Sequence, residues 1–83
     1  MFLHVEQARY VRDYVIWVHF NNGDEGEIDL RNDLRGEMFE PLLDVERFQD
    51  FHVDPEIETI VWKNGADFAP EFLHAKLQTS VGK

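Results

Sequence analysis

Glu25, Glu27 and Asp29 alternate along the chain, and His19 stands just before the turn that leads to them. On an extended backbone that alternation sends all three carboxylates to one face. A hairpin bringing His19 opposite them would gather an imidazole and several acids, the makings of a metal site or an acid–base pair if buried in a cleft. A chain of 83 residues has little material to wall a deep pocket around a hairpin. Histidine–acid pairs across exposed strands are worth under about 1 kcal/mol, and acids on an outer strand keep it from pairing with other chains. Trp17 falls amid these residues. It is either covered by the first strand or a helix, or it is an exposed aromatic ringed by acids, the kind of anchor that dominates interfaces. Trp17, His19, Glu25, Glu27 and Asp29 are therefore the candidate partner-binding face.

Other chemistry is thinly represented. His4, His19, His52 and His74 never fall at a spacing such as His-x-x-x-His, and there is no cysteine. Thiolate metal sites, disulfides and cysteine nucleophiles are excluded with it. No phosphate loop or Gly-x-Ser-x-Gly turn is present. The expectation is no catalytic residue, no metal and no cofactor, hence not an enzyme.

Seventeen Asp and Glu against eight Lys and Arg give a net charge of −9. Such a chain is repelled by phosphate backbones and anionic membranes, so neither nucleic acid nor membrane is expected to bind it alone. A basic protein surface is the partner it suits, although excess acid also serves plain solubility. The first residues lack a basic stretch followed by an apolar run, and the apolar run from Val15 to Val18 is too short to cross a bilayer. A cytoplasmic location is expected.

The elements that must position these residues can be read in order. Residues 3–11 form an imperfect strand, and Arg12-Asp13 turns the chain into Tyr14–Phe20, β-branched and aromatic throughout. Asn21-Asn22-Gly23 is a turn before an alternating strand, Asp24–Leu30. A two-residue loop would pair Phe20 with Glu25, Val18 with Glu27 and Ile16 with Asp29, setting three acids on the apolar face. A three-residue loop with Gly23 in the left-handed position pairs Ile16 with Ile28, Val18 with Gly26 and Tyr14 with Leu30. It leaves Trp17 opposite Glu27, His19 opposite Glu25 and Val15 opposite Asp29, and we take this register.

After a connection at 31–37, Met38–Phe51 reads as short helical turns, with Pro41 in a first turn and Asp44 as a cap. Phe51–Asp54 and Thr59–Trp62 form a second hairpin that pairs Val53 with Ile60 and Phe51 with Trp62. In Trp62-Lys63-Asn64-Gly65-Ala66-Asp67 the tryptophan ends a core strand and Asn64-Gly65 supplies positive φ. Asp67 can accept amide protons near a terminal helix opened by Pro70. That helix runs to about Gln78 with Phe72, Leu73 and Leu77 on its buried side. The order β-β-β-α-β-β-α makes one α+β domain over 1–83, its hairpins in a mostly antiparallel sheet and 79–83 a tail.

Taken together, Tyr14…Val18-x-Phe20-x-x-Gly23, Ile28-Asp29-Leu30, Phe39-x-Pro41-Leu42, Phe48 and Trp62-x-Asn64-Gly65-Ala66-Asp67-x-x-Pro70-x-x-Leu73 resemble the DUF2442 family, bacterial domains of unknown function. The resemblance covers nearly the whole chain, most specifically from Trp62 to Pro70. It implies a small α+β fold, which some members follow with a helix-turn-helix domain. The sequence stops at Lys83, so that DNA-binding half is not expected here. Other members are encoded beside a second small family, an arrangement that suggests toxin–antitoxin pairs. No catalytic residue follows from the resemblance.

Two functions stay open. The first is an interaction module that binds a basic protein partner, in the manner of an antitoxin. The second is a ligand-sensing or regulatory domain of a transcription regulator without its helix-turn-helix half. A homodimer through a strand edge or the Trp17 face is a further option.

Overall fold

The computed structural model describes the backbone of residues 2–81 and the side chains of residues 2–77. Strands β1 (Val5–Arg12), β2 (Val15–Phe20) and β3 (Glu25–Asp29) form an antiparallel sheet in that order. The β2–β3 register is the one the charge argument selects: Ile16 faces Ile28, Val18 faces Gly26, Trp17 faces Glu27, His19 faces Glu25 and Val15 faces Asp29. Gly23 adopts φ +94°, its N–H donates to the Phe20 carbonyl at 3.0 Å, and the Phe20 N–H donates to Asp24 at 2.8 Å. That closes a three-residue loop at a backbone angle that side chains with a Cβ resist.

The chain then passes through 3-10 turns at Arg31–Asp33 and Glu40–Leu43 into the single-turn helix α1 (Val45–Phe48). Pro41 stands in the first turn of the second of these, and the Asp44 carboxylate caps α1 by accepting from the Glu46 N–H at 3.1 Å. Strands β4 (Phe51–Asp54) and β5 (Thr59–Trp62) pair as expected, Val53 with Ile60 and Phe51 with Trp62.

The two hairpins form separate sheets of three and two strands. A backbone hydrogen bond links them, from the Val5 N–H to the Glu58 carbonyl at 2.9 Å. β1 is bulged between Val5 and Gln7, and the extra twist of a bulge turns that strand off the line a continuous ladder needs.

Helix α2 (Pro70–Val81) opens at the proline and packs on β3. It continues three residues past the expected end, so 79–81 are helical, and 82–83 lie outside the described residues. Leu73 and Leu77 are buried, but Phe72 is 37% exposed, a correction to the expected buried face. At about 100° per residue Leu73 and Leu77 point about 40° apart, and Phe72 lies about 100° and 140° from them, at the edge of the buried face. The core joins Ile16, Val18, Phe20 and Ile28 from the three-stranded sheet, with Leu30 just past β3, to Phe48, Ile60 and Trp62, with Leu73 and Leu77 above. Among the described residues no helix is long and apolar enough to cross a membrane.

Candidate functional site

The face of β1–β3 turned away from the core carries the five candidate residues. Trp17 is partly buried, and its cover is a side chain of the neighbouring strand rather than a helix: the Arg9 guanidinium lies 4.3 Å from the ring centroid. Arg9 is Trp17's register partner on β1, so the stack follows from strand pairing. A cation over an indole contributes about 0.5–1 kcal/mol where water reaches it. His19 lies parallel to Trp17, with centroids 6.2 Å apart and planes within 8°.

The acids around this stack have different roles. His19 Nδ1 is 3.3 Å from Glu6 and its Nε2 is 3.9 Å from Glu25. Glu27 accepts from Arg12 Nη1 at 3.3 Å. Asp29 is turned to its own backbone, accepting from the Arg31 N–H at 3.0 Å, and so starts the 3-10 turn that follows β3. The face is thus a mixed-charge surface around one aromatic stack. Among the described residues, no group of three or more His, Asp or Glu side chains is arranged to hold a metal ion.

Glu6, Arg9 and Arg12 are the members of this face that the sequence did not disclose. Two irregularities in the β1–β2 pairing, between Val5 and Gln7 and between Tyr10 and Arg12, break the alternation that would have assigned them.

The residues from Trp62 to Pro70 do structural work. Trp62 is 1% exposed, and its indole N–H donates to the Phe48 carbonyl at 2.7 Å. Gly65 sits at φ +92°. Asn64 joins two segments: its Nδ2 donates to the Met38 carbonyl at 2.7 Å, while its Oδ1 accepts from the Ala66 N–H at 3.0 Å. Asp67 contributes through its backbone, in a bridge to Val61, and among the described residues its carboxylate has no hydrogen-bond partner.

A pair far apart in sequence closes the other end of the sheet. His74 Nε2 lies 2.6 Å from Asp24 Oδ2, and the ring stands edge-on to Phe20 at 5.1 Å. The His74 hydrogen bond holds the Asp24 carboxyl below its ordinary value of 3.8. A shallow cleft of about 350 Å³ opens between Pro41, Leu42, Arg47, Asp50, Lys63 and Asn64. Its lysine is already held by Asp50 at 2.9 Å.

The fold is similar to that of a Nitrosomonas europaea protein described with its crystal structure as a "Putative DNA Binding Protein". The TM-score is 0.84 and the identity 20%, over 99% of this chain and 53% of that one. The chain therefore spans about half the length of that protein, and at this identity the likeness is one of fold. Among curated proteins none matches the chain. The model of a protein family of unknown function, DUF2442, matches residues 5–78, and the chain belongs to that family.

Proposed function

We propose that this domain is a small acidic protein-interaction module that docks a basic surface of a protein partner through the outer face of β1–β3, as an antitoxin docks the protein it neutralises. The observation that carries the reading is the Arg9–Trp17–His19 stack, set on the face that the core leaves free. A large ring already held by its neighbours loses little side-chain freedom on binding, which is what makes an aromatic anchor effective. Glu6, Glu25 and Glu27 around it favour approach of a basic surface, and a chain of net charge −9 adds long-range attraction.

The test is co-expression with the products of neighbouring genes, followed by calorimetry with the purified pair. Trp17→Ala should weaken binding by about 2 kcal/mol or more, and Glu27→Lys should slow association and flatten its salt dependence. Unchanged affinity in both variants, with the fold intact, overturns the reading.

A second reading is a regulatory domain of a longer transcription regulator, favoured by the fold shared with the Nitrosomonas protein. On either reading the isolated chain repels phosphate, and a gel shift at about 100 mM salt should show no binding at micromolar protein. A salt-sensitive shift would favour direct nucleic-acid contact by this domain instead.

A further inference from the structure

The motif from Trp62 to Pro70 holds a second surface together, away from the Trp17 face. Phe39 stacks on Phe68 with centroids 4.5 Å apart, and Phe68 stacks on Phe72 at 5.0 Å. At this site Phe72 is 37% exposed and Met38 46%, both large apolar side chains left in water. Three features fix the arrangement from below. Asn64 holds the Met38 carbonyl at 2.7 Å, buried Thr59 donates to the Phe68 carbonyl at 2.6 Å, and Trp62 meets Phe68 edge-on at 5.8 Å. The rings are thus placed before anything binds, which lowers the ordering cost of an interface.

Each of the four apolar residues has an acid beside it in sequence: Glu37, Glu40, Asp67 and Glu71, all of them exposed. Elsewhere Asp24, Asp33, Asp44 and Asp50 are paired with His74, Lys76, Arg47 and Lys63. Among the described residues none of the carboxylates of Glu37, Glu40, Asp67 and Glu71 has an ion-pair or hydrogen-bond partner. An apolar patch whose residues are each followed or preceded by an exposed, unpaired acid disfavours a second copy of itself and suits the opposite charge.

We infer that the Met38–Phe39–Phe68–Phe72 patch is a docking site for a basic amphipathic segment of another protein. Apolar side chains of that segment would cover the rings, and its lysines or arginines would meet Glu37, Glu40, Asp67 and Glu71. This surface is distinct from the outer face of β1–β3 and does not depend on it.

The probe is a synthetic Leu/Lys amphipathic peptide, with a Leu/Glu peptide of the same pattern as control. Each is titrated into the full chain by calorimetry and by backbone amide shift mapping. The Leu/Lys peptide should shift amides around Met38, Phe39, Phe68 and Phe72, more weakly as salt rises. Phe72→Ala should weaken it by about tenfold or more, and Glu37→Lys with Glu71→Lys should remove most of the salt dependence. Trp17→Ala should leave this affinity unchanged, so failure here and failure at the Trp17 face are separable. Equal binding of the Leu/Glu peptide, shifts centred on Trp17, or no shift at about millimolar peptide each overturns the inference. So does self-association in sedimentation that Phe72→Ala abolishes, since the patch would then be covered by a second copy.

Discussion

Leu77 closes on Gly26: a Cβ added to that glycine would lie 2.6 Å from Leu77 Cδ1. β3 and the C-terminal helix therefore meet where a strand residue has no side chain, opposite Val18 on β2. Leu77 is 4% exposed and so is hemmed in on its other sides.

Gly26→Ala should cost about 1–3 kcal/mol, since the new methyl would meet buried Leu77 at a backbone φ of +158° that side chains rarely adopt. Leu77→Ala alone should cost about 2–5 kcal/mol, the usual range for truncating a buried leucine. The double variant should be less destabilised than the sum, because the smaller residue 77 makes room for the new methyl. Strict additivity in urea denaturation would show that the two residues do not compete for space.

At Gly23 there is space but no conformational freedom for a side chain. A Cβ there meets nothing within 4 Å, but φ is +94°, so the cost of Gly23→Val is conformational. It should be at least about 1 kcal/mol, or about 4–8 °C in Tm for a domain of this size, and Gly23→Asn should recover part of it. Equal Tm for wild type and Gly23→Val would refute a left-handed residue in this turn.

How far the fold and face were legible follows from the range of the forces involved. The β2–β3 register could be read because turn chemistry and charge agree within a few residues, and Gly23 with the Ile16–Ile28 and Val18–Gly26 pairs came out as read. The β4–β5 register was equally local. The outer face was half legible: alternation placed Trp17 with Glu25 and Glu27, but Arg9 and Arg12 reach it through a bulged strand whose period-two pattern is broken. The Asp24–His74 pair and the Asn64–Met38 bond lay beyond reach because they depend on how distant segments pack, and no local pattern encodes that.

Asp24 gives the domain a dependence on acid. Its carboxyl is held below 3.8 chiefly by the His74 hydrogen bond, so the folded state favours its charged form. A depressed carboxylate pKa contributes stability that is present above the unfolded value and is lost as pH falls through the folded one. Asp24→Asn should therefore destabilise the protein near neutral pH and flatten the decline of Tm as pH falls below about 4. An acid limb parallel to that of the wild type would show that the pair makes no net contribution.

Trp62 and Trp17 offer a controlled comparison of an inner and an outer indole. The Trp62 N–H satisfies the Phe48 carbonyl, in the last turn of α1, where helix carbonyls have no partner of their own. Phe48 is 0% exposed, so water cannot take over that role without opening the core. Trp62→Phe keeps an aromatic ring against Phe48, Phe51 and Phe68, but removes the donor and leaves a void the size of the lost ring atoms. The unpaired carbonyl costs about 1–3 kcal/mol and the void adds to it, so the total should be about 2–4 kcal/mol. Trp17→Phe removes an indole from a water-facing stack and should cost under about 1 kcal/mol. Trp17 fluorescence reports unfolding of the first variant and Trp62 that of the second, so each can be followed in urea without a label. Similar midpoints for the two would mean that the Phe48 carbonyl finds another partner when the indole is gone.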